Sequence, residues 1–103
     1  SWVYAREGAN FANTMLRLGN ERPELRVVFD QIGTPTYAPD LAETVLKLVD
    51  QVEKNELAAD NLAGIWHYSN EGVCSWYDFA CAVVEIAGLP CRITPIETKD
   101  YPT

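Results

Sequence analysis

Seven large rings, Trp2, Tyr4, Phe11, Trp66, Tyr68, Trp76 and Tyr77, carry the most usable chemistry in this chain. Most must fill a core, but a few placed at strand ends or in loops can stack on a base or a sugar ring. The other reactive groups point elsewhere. Asp40 with Glu43, and Asp78 with Glu85, fall at helix starts or on solvated faces, where capping is the ordinary role of a carboxylate. His67, flanked by two aromatics in a predicted strand, reads as a hydrogen-bonded structural residue rather than a base. Cys74, Cys81 and Cys91 are spaced too widely for a metal knuckle, so no metal site is expected; they read as free thiols, with Cys81 a small buried hydrophobe. No G-x-G-x-x-G, P-loop, H-E-x-x-H or G-x-S-x-G occurs, and composition alone names no reaction and no catalytic residue.

The 103 residues suit one domain, and 48% apolar, 11% aromatic and 22% charged residues describe a packed globular chain rather than a disordered one. A formal charge of −7 repels nucleic acid and anionic lipid. The longest apolar runs, such as Phe79 to Val84, fall far short of the roughly 20 residues that cross a bilayer, so no membrane partner is expected. The absence of a leader-like segment and the odd number of cysteines suggest the cytoplasm. The same charge is awkward for an anionic ligand, whose phosphates would need a few local cations or backbone N–H groups. A first residue Ser1, inside what reads as a strand and without Met, suggests a fragment.

The elements that would position these residues follow from periodicity. Ser1 to Tyr4 reads as a strand and Arg6 to Asn10 as a turn; Phe11, Met15 and Leu18 then recur at helical spacing, with Gly19 as the C-terminal stop. Leu25 to Phe29 is a β-branched run suited to a buried strand, followed by turn signals at Asp30, Gly33 and Pro35. Pro39 and Asp40 open a second helix with an inward stripe of Leu41, Val45, Leu48 and Val52, and an outer charged face of Glu43, Lys47, Asp50 and Lys54. Glu56 to Leu62 reads as a polar connection and Gly64 to Ser69 as a strand covered on both faces. Ser75 and Asp78 form a variant capping box for a third helix with a stripe of Phe79, Val83 and Ile86, ended by Gly88 and Pro90. Arg92 to Ile96 is a last strand. The expected order is β-α-β-α-β-α-β, one α/β unit over 1–103 with parallel crossovers.

Particular strings add to this reading. Ser1-Trp2-Val3-Tyr4, Asn10-Phe11 with Thr14-Met15-Leu16-Arg17-Leu18, and Asp30-Gln31-Ile32-Gly33 with Pro35-Thr36 and Asp40-Leu41-Ala42 resemble the dTDP-4-dehydrorhamnose reductase family. Gly64 to Asn70, Ser75 to Ala80 and Tyr101-Pro102-Thr103 are similar to its later segments, so the likeness runs in order through the chain. The resemblance implies the C-terminal substrate-binding portion of an extended short-chain dehydrogenase, a Rossmann-like α/β fold. It also implies an N-terminal NAD(P)-binding domain that carries a Tyr-x-x-x-Lys pair and is absent here. The full-length enzyme would use NADPH to reduce the C4 ketone of dTDP-4-dehydro-L-rhamnose to dTDP-L-rhamnose in cell-surface polysaccharide synthesis. This portion alone would bind no cofactor and be inactive; its partners would be the dTDP-sugar, its own Rossmann domain and, in the full-length protein, a possible second copy.

Carried over residue by residue, the resemblance assigns substrate contacts to Trp2 first, then Asn10 and Phe11 at a helix N-terminus, Gln31 after a strand, and Arg17, with Arg6, toward the diphosphate. Ala9 stands where the family usually has a further Asn, and the family's R-R-P cations would lie beyond Thr103. Each assignment has a plainer rival: core packing for Trp2 and Phe11, helix capping for Asn10, turn closure for Gln31. Two other functions compete: a non-catalytic regulatory subunit resembling the β subunit of methionine adenosyltransferase, or another nucleotide-sugar epimerase or reductase. An independent interaction domain is a further rival.

Overall fold

The structure, a computed structural model, describes residues 2–56, 58, 60 and 63–102. Ser1, Thr103 and much of the expected 56–62 connection therefore lie outside the described residues. The chain is α/β, in the order β1 (Trp2–Tyr4), α1 (Phe11–Glu21), β2 (Glu24–Val28), β3 (Ile32–Gly33), β4 (Pro35–Tyr37), α2 (Ala38–Glu53), β5 (Cys74–Ser75), α3 (Trp76–Ala87) and β6 (Arg92–Ile96). A 3-10 turn, Thr98–Asp100, follows. Strands pair in twos: β1 with β4 and β2 with β6 are parallel, as helix-containing crossovers require, whereas β3 and β5 are antiparallel.

The centre is the β2–β6 pair with α1 and α3 against it. Leu25 and Val27 point to one side of β2, where they meet Met15 of α1, Ala80 and Val84 of α3, and Cys91. The alternation Leu25-Arg26-Val27 puts the charged side chain outside, as the period of a strand dictates, while Val28 on the Arg26 face is buried as well. Met15 and Leu18 repeat at helical spacing on α1, and Phe11, Leu18, Trp76, Tyr77 and Val83 pack around this centre.

Several expectations are corrected. Gly19 does not end α1, which continues to Glu21; Gly19 is buried inside the helix, where a Cβ would lie 2.8 Å from Leu89 Cδ1. Glycine there serves close approach, not termination. The helix that does end on glycine is α3, where Gly88 takes φ +67. Gly64 to Ser69 is not a strand: a strand persists only through ladder bonds, and no described strand lies opposite it. Its side chains are correspondingly open, Ile65 at 89% and Trp66 at 68% exposure, and His67 is exposed too. The strand before α3 is instead the two-residue β5. Asp30 to Pro35, expected as a turn, contributes β3 and the start of β4, so β3, β4 and β5 replace the simple alternation of strand and helix.

Two helical stripes also shift. On α2, Leu41, Leu48 and Val52 are half-buried, but Val45 is exposed beside Leu46 and Val49. On α3, Ile86 is exposed and Ala80 and Val84 are buried instead, because β2 and β6 meet the helix on that flank. Cys81 is half-buried, and Cys91 is the buried cysteine. No helix among the described residues is long and apolar enough to cross a membrane.

Candidate functional site

The rings at the edge of this core converge. Trp2 of β1 stacks on Trp76, the first residue of α3, with ring centroids 3.6 Å apart and planes 11° from parallel. Phe11, at the start of α1, leans on Trp76 at 4.7 Å and on Phe79 at 5.2 Å. Gly33 backs directly onto the Nε1–Cε2–Cζ2 side of the Trp2 indole, where an added Cβ would stand 2.3 Å from Cε2. Trp2 is held between a ring and a backbone.

Beside these rings opens a cleft of about 790 Å³. Phe11, Thr14, Met15 and Leu18 of α1 and Trp76 of α3 form an apolar wall, and Val28 and Ile96 continue it on the sheet. Arg22 and Arg26 bring positive charge, with Glu24 between them; neither arginine forms an ion pair among the described residues. Gln31, Thr98, Tyr101 and Pro102 close the remaining side. A mostly apolar concavity with a few convergent polar groups and two cations has the chemistry to hold a planar ring and an attached anionic group.

A directional hydrogen-bond chain links the walls. The Trp76 indole N–H donates to Gln31 Oε1 at 3.2 Å, and Gln31 Nε2 donates to Thr98 Oγ1 at 3.1 Å. The Thr98 hydroxyl donates to Asp30, and the Thr98 N–H reaches both Asp30 carboxylate oxygens at 2.9 and 3.1 Å. These donors, the hydroxyl first, hold the Asp30 carboxyl below its ordinary range. Because an indole N–H can only donate, the Gln31 oxygen must face Trp76, which leaves one Gln31 N–H for another acceptor.

The predicted site residues divide. Trp2, Phe11 and Gln31 come together with Trp76. Asn10 sits close to Phe11, but its amide is engaged: Oδ1 accepts from the Asn13 N–H at 3.0 Å as the cap of α1, and Nδ2 donates to the Ala5 carbonyl at 2.9 Å. Arg17 lies apart from the cleft lining, on the exposed face of α1, 3.8 Å from Glu21. The cations that line the cleft are Arg22 and Arg26. Sequence reasoning missed these two together with Thr98 and Tyr101, and counted Trp76 among the usable rings without assigning it to the site. The period-2 pattern of β2 signals Arg26, but nothing local signals Thr98, 68 residues from Asp30.

Burial, then the Asp78 charge, pushes the Cys74 thiol up, and a hydrogen bond with Cys81 pushes the Tyr77 phenol up. Ser75 donors hold Asp78 down within a complete capping box. A dinucleotide cofactor does not fit the described helix starts: Asn10 fills the N-terminus of α1, Asp40 lies in the first turn of α2, and Asp78 caps α3.

Comparison with known proteins identifies the family. The whole chain, residues 1–103, matches the model of the RmlD substrate binding domain. It is 48% identical over 98% of its length to the spore coat polysaccharide biosynthesis protein SpsK of Bacillus subtilis, of which it covers 32%. Among solved structures, the dTDP-4-dehydrorhamnose reductase of Clostridium acetobutylicum superposes with TM-score 0.82 at 43% identity, over 99% of this chain and 33% of that one. The Bacillus anthracis reductase, solved in complex with NADP, gives TM-score 0.83 at 40% identity over 98% of this chain and 33% of that one. The chain thus spans about a third of the length of the relatives it matches. Its strings of residues and its α/β architecture have one common account: the chain belongs to the RmlD substrate binding domain family.

Proposed function

We propose that this chain is the nucleotide-sugar-binding unit of a dTDP-4-dehydrorhamnose reductase, and that the full-length protein reduces dTDP-4-dehydro-L-rhamnose to dTDP-L-rhamnose with NADPH in the cytoplasm. The observation that carries this reading is the cleft, where Phe11 and Trp76 stand beside Arg22 and Arg26: rings for a base or sugar, guanidinium groups for the diphosphate. Gln31 offers its remaining N–H to a base or sugar oxygen, and Trp2 supports Trp76 from behind and lends its own edge or free surface to the sugar. Asn10 acts by holding the α1 entry in shape; Arg17 contributes long-range charge at most. The cofactor and the proton donor belong to a Rossmann domain outside this chain, which we expect to be inactive alone. The names of the relatives favour a reductase over the regulatory-subunit alternative.

The test is NADPH oxidation by the full-length protein with dTDP-4-dehydro-L-rhamnose, run beside this chain as a control. Turnover by the full-length protein alone is the expected result. No turnover by a folded full-length protein would overturn the assignment. In the same assay Trp2→Ala should lower kcat/KM for the sugar nucleotide and leave the KM for NADPH nearly unchanged.

A further inference from the structure

We infer that Thr98 is a positioning residue that fastens the Tyr101–Pro102 wall of the cleft to the Trp76 ring and so sets the slot in which a ring of the nucleotide sugar lies. The inference rests on the substrate reading above and deepens it. Three observations carry it. Thr98 joins, through its side chain, two parts of the cleft far apart in sequence: its oxygen accepts from Gln31, itself bound to Trp76, and its O–H and N–H both go to Asp30. The two anchors, Asp30 and Gln31, directly follow β2, and Thr98 comes shortly after its parallel neighbour β6, with the Phe29 N–H bonded to the Ile96 carbonyl just before them. Beyond Thr98 the chain turns once, the Tyr101 N–H returning to the Thr98 carbonyl at 3.0 Å, and presents Tyr101 and Pro102 to the cleft.

The hydroxyl has one proton, which goes to the carboxylate, and so the oxygen is left to accept from the amide; along the side-chain series from Trp76 to Asp30 each bond runs in one direction. Polarised chains of this kind that end on a charge strengthen together. Replacing the hydroxyl by a methyl of the same shape removes the Gln31 and Asp30 side-chain bonds at once, but keeps the backbone N–H bond to Asp30. The turn then stays attached, while the indole and the tail are no longer held in register. A ligand ring loses a preformed slot, which weakens binding more than chemistry.

In the full-length protein, Thr98→Val should raise KM for dTDP-4-dehydro-L-rhamnose about fivefold. Its kcat and its KM for NADPH should stay within about twofold of the wild type. Thr98→Ser, which retains the hydroxyl, should restore the wild-type KM. Limited trypsin digestion adds a readout independent of turnover: cleavage after Lys99, inside the turn, should accelerate in Thr98→Val and not in Thr98→Ser. An unchanged KM in a wild type that turns over would overturn the positioning role alone, as would equal losses in both variants. No turnover by the wild type would instead overturn the substrate reading and with it the ligand named here, and unchanged cleavage after Lys99 would overturn the fastening itself.

Discussion

The β2–β6 pair with α1 and α3 and the stretch from α2 through residue 73 began with equally good amphipathic patterns and ended differently. Around β2, every inward position found a partner: Leu25, Val27, Met15, Ala80 and Val84 are all buried. On α2, none of the residues is buried, Leu46 is 68% exposed, and Ile65 and Trp66 downstream are more or equally open. An apolar stripe states which face of a helix would be buried; whether it is buried depends on a surface being there to meet it. The site lies on the side of the molecule where that surface exists, and there ring packing and the Gln31–Thr98 hydrogen bonds together hold its rings.

The sharpest way to break this comparison is truncation in each region. Leu25→Ala should destabilise the chain by about 2–5 kcal/mol, the usual loss for a large-to-small change in a packed core. Leu46→Ala should stay within about 0.5 kcal/mol when the same chain is unfolded in urea. A loss at Leu46 comparable with that at Leu25 in this chain would erase the distinction; a loss seen only in the full-length protein would show that a further segment covers α2.

Overpacking at the boundary comes next. Gly33→Ala places a Cβ 2.3 Å from Cε2 of Trp2, and the neighbour is a ring already stacked on Trp76, so it has little room to yield. We expect a loss of about 1–3 kcal/mol. The exciton couplet in circular dichroism that a parallel indole pair produces should weaken with it. Gly19→Ala faces only the flexible end of Leu89 at 2.8 Å and should be milder. Retention of the couplet in Gly33→Ala would show that the indoles are positioned by something other than this backbone.

The smallest expected effects are at the cap of α3. Ser75→Ala removes a capping hydroxyl and should destabilise by about 1 kcal/mol. The paired carboxylate gives a pH signature. Asp78 has a folded pKa below its ordinary value, so its contribution is complete above about pH 4, the unfolded value, and is lost as pH falls through the folded one. Asp30 acts in the same direction through Thr98. Urea midpoints measured from pH 6 to pH 2 should fall at the acid end, and the fall should be shallower in Asp78→Asn. An equal slope in that variant would assign the acid sensitivity to other carboxylates.

What could be read before the fold was known was local. The start of α1 at Phe11, the Ser75–Asp78 capping box and the Gly88 stop depend on neighbours within about four residues, and all three recur in the structure. Gly64 to Ser69 carried strand propensity and still made no strand, because a strand is defined by a partner that propensity cannot supply. Gly19 looked like a stop because a helical stop and a close helix contact both favour a residue without a side chain; only the position of Leu89 tells them apart.

The site shows the same division. Strings of residues were enough to name the family they resemble, and that resemblance pointed to Trp2, Phe11 and Gln31, which the structure gathers around Trp76. Tertiary structure alone decided that Trp76 covers Trp2, that the Asn10 amide is spent on capping, that Arg17 faces solvent while Arg22 and Arg26 enter the cleft, and that Thr98 joins Asp30 and Gln31 across 68 and 67 residues. The physical reason is range: capping and periodicity act within a turn or two, whereas stacking, cleft charge and a latch between neighbouring strands depend on the parallel pairing of β2 with β6, which no local signal specifies.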